Sequence, residues 1–338
     1  MIGIRAIATN DLEALHQLAV EAGIGMTTLT KDRELLKQKI ENSVNSFKKD
    51  VQIPGGELYW FVMEDTESKR IIGSAAIYAA IGLSRPFYSF RVTNLTHTSQ
   101  ELEKYEPVRA LQMVEEYRGC AEIATLFLTP EYRKNSNGKF LSRSRFLFLA
   151  EFAQRFPDQV IAEMRGVQDD EGHSAFWDNL GRHFIKMSFS KADYLSSLGK
   201  YQFIADLMPK YPVYIRLLPE AAREVIGVVN ESTKPALALL RREGFRFEGC
   251  VDVFDAGPTI VCPLSDIETV KNSQSARIEK ISAESPNLKF MISNCKLDNH
   301  RMTRGAVKAL DNGSIELDQQ TANYLDVSAG ESVRYATI

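Results

Sequence analysis

Apolar positions along the first 160 residues change their period in a definite order. Residues 2–7 (IGIRAI) form a short run that predicts a strand. Leu12, Leu15 and Leu18 then share a helical face that Asn10 would cap, with Glu13 placed as in a capping box. A second stripe, Leu36, Ile40, Val44 and Phe47, follows Thr30 and is broken by Pro54-Gly55-Gly56. Residues 58–64 and 71–78 read as two strands joined by the polar turn Asp65-Thr66-Glu67-Ser68, a hairpin. After a mixed aromatic and polar stretch at 87–102, residues 123–128 make an apolar, β-prone run closed by Thr129-Pro130. The chain turns polar from 131 to 138. From 139 to about 154, Phe140, Leu141, Phe146, Leu147, Leu149, Ala150 and Ala153 recur at helical spacing. Residues 159–164 predict one more buried strand.

Further on the pattern is less regular. Residues 163–184 hold the acidic loop Asp169-Asp170-Glu171, then the amphipathic piece Phe176-Trp177-Leu180. The pattern Ala-Phe-Trp-x-x-Leu-Gly-x-x-Phe there resembles a segment of GNAT-type N-acyltransferases, and by that resemblance implies a short helix that ends at Gly181 and leads into a strand. A similar helix–Gly–Phe ending recurs at 236–248, which raises either a duplicated or intertwined architecture or a common helix C-cap with an apolar contact. After Pro263 the chain becomes polar and then alternates short apolar runs with Gly, Asn and Asp turns. We read 1–264 as the main region and 265–338 as a small β-rich appendage packed on it, without catalytic residues.

Composition narrows the class. A chain of 338 residues with 44% hydrophobic and 25% charged content is ordinary globular material. The net charge of −3 argues against a nucleic-acid or polybasic membrane partner, so a basic patch must be local. No apolar run approaches the ~18 residues of a membrane span, and the N-terminus turns polar too early for a signal peptide. Cys120, Cys250, Cys262 and Cys295 are scattered without a C-x-x-C, which suggests reduced thiols in a cytoplasm and no zinc site.

The stretch AEIATLFLTPEYRKNSNGKFLSRSRF (121–146) places strand, basic loop and helix in succession, a shape that can hold phosphate at the helix N-terminus. Gly138 would let the backbone come close, with countercharge from Arg133, Lys134, Lys139, Arg143 and Arg145. It is neither a Walker loop nor a dinucleotide fingerprint, and a plain surface loop capping a core helix has the same outline. The arrangement resembles the coenzyme A pyrophosphate loop of GNAT-type N-acyltransferases, here Arg133-Lys134-Asn135-Ser136-Asn137-Gly138, with Ser136 in place of that pattern's first glycine. Element order resembles the same fold, which implies an α+β architecture: a GNAT-like mixed sheet flanked by helices.

More of the chain resembles one family, the arginine N-succinyltransferases of bacterial arginine catabolism. The similar stretches are PFYSFR (86–91), NLTHTSQEL (94–102), TLFLTPEYRK (125–134), SRSRF (142–146), EMRGVQDDEGHSAFW (163–177), LMPKYPVY (207–214), EGFRFE (243–248) and VDVFDAGPTIVC (251–262). The resemblance implies transfer of a succinyl group from succinyl-CoA, a substrate and not a cofactor, to the α-amine of L-arginine. It also implies a homo-oligomer or a hetero-oligomer with a paralogous subunit. In the segment VIGVVNESTKPA (225–236) the family carries a proton-donor histidine where this chain has Asn230, and an amide does not exchange a proton near neutral pH. Another amine acceptor, or a non-catalytic CoA-binding subunit beside an active paralogue, are the alternatives that this departure raises.

Acyl transfer to an amine needs a base, an oxyanion donor and positioning. The resemblance lays pantetheine along the strand at Leu126, Phe127 and Leu128, with the amide of Leu126 or Phe127 near the thioester oxygen. Arg133, Lys134, Asn137, Gly138 and Lys139 would take the pyrophosphate. Glu122 at the start of that strand is the first candidate base, His97 the second and His173 the third. For the guanidinium of arginine the candidates are Glu163, Asp169 and Asp170, and for substrate carboxylates Arg91 and Arg165.

Overall fold

In the computed structural model, residues 1–23, 26, 28–169, 171–283 and 289–338 are described. The N-terminal run is β1 (Ile2–Ala6), followed by helices α1 (Leu12–Ala22) and α2 (Arg33–Ser46) and the hairpin β2 (Leu58–Asp65) and β3 (Arg70–Tyr78). A second, longer hairpin, β4 (Ser89–Ser99) with β5 (Lys104–Val114), comes before β6 (Ala121–Leu128), α3 (Asn137–Glu151) and β7 (Gln159–Glu163). Short helices α4 (Arg182–Phe184), α5 (Phe189–Ser197) and α6 (Gln202–Leu207) lead to β8 (Val213–Tyr214) and α7 (Glu220–Glu224). Helix α8 (Lys234–Arg242) and strands β9 (Arg246–Asp252) and β10 (Pro258–Pro263) follow. The rest is α9 (Glu268–Asn272), β11 (Gln274–Ser282), β12 (Lys289–Asn294), β13 (Arg301–Ala309), β14 (Ile315–Asp318), α10 (Gln319–Leu325) and β15 (Ser332–Thr337).

These strands join in one mixed sheet, the α+β architecture expected, in the order β12-β15-β11-β14-β13-β1-β2-β3-β6-β7-β10-β9-β4-β5-β8. Its centre is buried on both faces, and β2 shows why. Leu58, Trp60 and Val62 point to one side, against α1 and α2, while Tyr59, Phe61 and Met63 point to the other, with the α3 residues Phe140, Leu141 and Phe148. Phe148 meets Tyr59 and Phe61 at ring centroid separations of 5.1 and 5.0 Å, which locks α3 over the sheet. The stripe Leu36, Ile40 and Phe47 is buried as its spacing required.

Two local expectations change. Asp11, not Asn10, stands at the start of α1, because its carboxylate accepts from the Ala8 amide at 2.7 Å and from both Arg5 guanidinium nitrogens at 2.7 and 2.9 Å. That tie to β1 outweighs a local cap. The segment ending at Gly181 includes a π-helical turn and runs into α5 rather than a strand, so it is no copy of the α8–β9 unit. Gly181 is needed there because a Cβ would lie 2.4 Å from the Trp177 ring. The C-terminal strands close on themselves, since β12 pairs with both β15 and β13, and β13 also pairs with β1. The ring encloses its own core of Ile278, Ile292, Val307, Leu317 and Leu325, yet extends the main sheet without a break. No helix among the described residues is long and apolar enough to cross a membrane.

Candidate active site

The site begins as a gap in the sheet. Strands β6 and β7 run parallel but pair only at Ala121↔Val160 and Glu122↔Ile161. Beyond Glu122 they part, and the β7-facing edge of β6 has no strand partner among the described residues. On its other edge the ladder with β3 slips between Ala76↔Ala124 and Ser74↔Phe127, a bulge. Thr125 absorbs the slip at φ +58°, a left-handed conformation that a β-branched residue rarely takes. Its buried hydroxyl has no hydrogen-bond partner among the described residues. Strain and an unsatisfied polar group together mark a functional segment more often than a structural one.

A cavity of about 1080 Å³ fills the gap. One end meets the loop before α3, where Asn135 and Ser136 are left-handed in succession, at φ +52° and +58°. Ser136 thus holds the conformation a glycine would take, at a cost of ~1–2 kcal/mol. Arg304 from β13 braces this loop through the Asn135 carbonyl and the Asn137 Oδ1, 2.5 and 2.7 Å away. No side chain caps α3. The Asn137 amide donates to the Lys134 carbonyl at 3.0 Å, but the next amides, of Gly138 and Lys139, have no such partner among the described residues and can face an anion. Arg133, Lys134, Asn137 and Gly138 line this end of the cavity. A Cβ on Gly138 would meet nothing nearer than Leu128 Cδ2 at 4.0 Å, so internal packing does not demand glycine here.

The other end is rich in charge. Glu122 is 8% exposed and makes no hydrogen bond or ion pair among the described residues. Burial pushes its carboxyl up to about 7, against the pull of Arg85 and Lys39. Tyr78, its cross-strand partner on β3, has a phenol that burial keeps protonated. Glu163 at the end of β7 is raised well above the carboxylate range by burial, with the negative charges of Asp252, Glu122 and Asp255 adding to it.

The turn between β9 and β10 supplies two more acids. Asp255 accepts from the amides of Gly166 and Gly257 at 2.8 and 2.9 Å and from Gln168 Nε2 at 3.2 Å. Asp252 accepts from the amides of Phe254 and Asp255 at 2.7 and 2.9 Å, and burial followed by the charge of Asp255 lifts it to about 8. Gly257 permits this docking of the turn on β7, since a Cβ there would sit 2.0 Å from the Met164 carbonyl. From α5, Asp193 reaches the same wall, raised to about 6 by burial and by Asp255.

Several residues singled out from sequence line this cavity: Glu122, Leu126, Phe127, Leu128, Arg133, Lys134, Asn137, Gly138, Glu163 and Arg165. Others lie elsewhere. His97 projects from the exposed part of β4 against the Tyr214 ring, 5.8 Å away. Arg91 pairs with Glu116 and donates to the Glu248 carbonyl. The Asp169 carboxylate is exposed and occupied with the Glu171 and His173 amides at 3.0 and 2.8 Å, and His173 stays beside it. Lys139 does not line the cavity, and Asp170 is outside the described residues. Asn230 adjoins the site without lining it. Its amide nitrogen donates to the Arg165 carbonyl at 2.9 Å, and its Oδ1 accepts from the Ser232 amide and hydroxyl at 3.0 and 2.7 Å. Local pattern did not reveal Lys39, Tyr78, Arg85, Asp193, Asp252, Asp255 and Tyr201, which all line the cavity. Only the two acids of VDVFDAGP carried a signal, an acidic turn between strands.

Comparison with known proteins follows the same lines. A family model described as arginine N-succinyltransferase beta subunit matches residues 2–269, and that of the subunit's C-terminal domain matches 274–337. An arginine N-succinyltransferase of Yersinia pestis is 40% identical over 100% of this chain and 98% of its own. The arginine N-succinyltransferase subunit beta of Pseudomonas aeruginosa is 42% identical over 98% of this chain and 96% of its own. The solved structure of arginine/ornithine succinyltransferase subunit AI from Pseudomonas aeruginosa has a TM-score of 0.91 at 31% identity, across 100% of this chain and 98% of that one. With end-to-end matches in sequence and in structure, the chain belongs to the arginine N-succinyltransferase family.

Proposed function

We propose that this chain is an N-acyltransferase that moves the succinyl group of succinyl-CoA to the α-amine of L-arginine. The observation that carries the reading is Glu122. It is an unpaired carboxyl near 7 at the mouth of the β6–β7 gap, on the strand whose free edge can pair with an extended ligand. Pantetheine would add along that edge at Leu126, Phe127 and Leu128, and the diphosphate would rest on the loop from Arg133 to Gly138. Glu122 takes a proton from the ammonium of the acceptor, and the freed nitrogen attacks the thioester carbonyl. The amide of Leu126 or Phe127 stabilises the oxyanion. The C–N bond forms, the C–S bond breaks, and the thiolate of CoA leaves and takes up the second proton that the attacking nitrogen releases. The wall of Glu163, Asp193, Asp252 and Asp255 suits a guanidinium, which needs several acceptor oxygens.

Asn230 supports a second reading, in which the acceptor differs or the chain acts with a paralogous partner, since its side chain is engaged as a cap and cannot donate a proton as histidine would. The word subunit in the names of the two Pseudomonas aeruginosa relatives fits a homo-oligomer or hetero-oligomer. Four free cysteines suit a reducing cytoplasm. The division at 264/265, with an acyltransferase region before it and a β-rich domain after it, belongs to the same reading. A thiol-release assay with succinyl-CoA across a panel of amines tests the reaction. Arginine should give the fastest release, and silence with every amine would reject an independent enzyme.

A further inference from the structure

Two cations face the cavity beside Glu122 with no acid paired to either. Lys39, on the face of α2 turned to the cavity, donates to the Thr28 carbonyl at 3.0 Å and makes no ion pair among the described residues. Arg85, on the loop after β3, rests its guanidinium over the Tyr201 ring, 4.5 Å from the centroid, and makes no hydrogen bond or ion pair among the described residues. The two are close enough that the charge of Arg85 adds to burial in holding the Lys39 ammonium down to about 8. Both cations act on Glu122, whose carboxyl, lifted by burial to about 7, is only partly charged near neutrality. Two adjacent cations on a low-dielectric wall repel each other unless an anion joins them.

The same end of the cavity also holds the acids Glu163, Asp193, Asp252 and Asp255 and the cation Arg165. An anion entering here meets Lys39 and Arg85 as cations that line the cavity with no ion pair among the described residues. A carboxylate has two oxygens, one for an ammonium and one for a guanidinium. We propose that Lys39 and Arg85 form a carboxylate-binding subsite beside Glu122, which holds a carboxylate of a reacting substrate and orients it toward the base. This rests on the acyl-transfer reading above, where each substrate carries such a group. In the acceptor it sits on the carbon that bears the amine. In the donor it ends the acyl chain.

The test compares Lys39→Met and Arg85→Gln with wild type by calorimetric binding, without turnover. One arm sets L-arginine against agmatine, which lacks the carboxylate, and the other sets succinyl-CoA against butyryl-CoA. Wild type should prefer the carboxylate-bearing ligand in at least one arm by about tenfold to a hundredfold, the range of a hydrogen bond to a charged group. Each variant should lose most of that preference, while Arg85→Lys retains part of it. Loss in the first arm assigns the subsite to the acceptor, and loss in the second assigns it to the donor. Unchanged preferences in both arms, in variants with wild-type melting behaviour, overturn the subsite. A wild type that binds with these preferences but transfers no acyl group would uphold the subsite and reject the reaction.

Discussion

Glu122 of β6 and Ile161 of β7 form the last pair of the parallel ladder between these strands, and the cavity opens directly after them. A carboxylate at that fork is buried by the paired strands on one side and faces the gap on the other. This explains why its carboxyl rises to about 7 without a hydrogen-bonded partner.

The first expectation concerns this residue as a base. Glu122→Gln keeps shape and removes the proton acceptor, so turnover should fall by ~10²–10⁴-fold while CoA binding stays near wild type. Because burial raises the carboxyl and the base must be ionised, the rate should rise with pH through about 7. That limb should vanish in the variant. A variant that keeps it assigns the ionisation to another group.

A second expectation follows from Gly138. A valine there would meet little of the protein, since the nearest atom to a Cβ is Leu128 Cδ2 at 4.0 Å, but it would fill space at the mouth of the helix. Gly138→Val should therefore weaken CoA binding by calorimetry with only a small change in denaturation midpoint. Alanine at Arg133 or Lys134 should weaken the same binding more at low salt than at high salt, because exposed charges are screened over about 8–10 Å. Equal CoA affinity in Gly138→Val and wild type would remove the diphosphate from this loop.

Asp193 offers a separable test of the acidic wall. It accepts no hydrogen bond among the described residues, so its charge serves no visible cap or turn. Asp193→Asn should raise KM for arginine by about 10-fold or more, as expected for one lost charge-assisted bond. KM for succinyl-CoA should not move. If both rise together, the residue shapes the cavity and does not select the acceptor.

Asn230 separates the two functional readings. Asn230→His gives up a cap to Ser232, at about 1 kcal/mol of stability by urea denaturation. If the family's histidine protonates the departing thiolate, the variant should raise kcat with arginine by ~10²-fold and leave KM nearly unchanged. An active wild type with no gain in the variant shows that position 230 is not the proton donor here.

Much of this was legible along the chain wherever one element declared itself by its own period. The stripe of Leu36, Ile40 and Phe47, the hairpin of β2 and β3, and the β6–loop–α3 succession are set by local patterning and turn residues, so they appeared at the expected places. Glu122 could be chosen from its place at a strand start. Ser136 looked like a departure in the loop, and the left-handed conformation it adopts shows that the loop keeps its course with a side chain present.

The charges at the far end of the cavity could not be read this way. Lys39 occupies the polar face of an amphipathic helix, where a lysine normally meets solvent, and Arg85 lies in an irregular loop. Asp193 belongs to a short helix separated from Glu122 by 71 positions in the chain. Only folding brings α2, the β3–β4 connection, α5 and the β9–β10 turn around the end of β6. Burial and mutual charge then change what the side chains do, which is a property of distances across the fold and not of neighbours in sequence. Conversely, His97, Arg91 and Asp169 looked suited to chemistry by residue type, but β4 carries the first two away from the cavity and a local turn occupies the third. Sequence determined the elements and the loop before α3, because those depend on adjacent residues. Which charged side chains share a site was decided by the splay of two parallel strands, because only that splay makes a buried space for them to face.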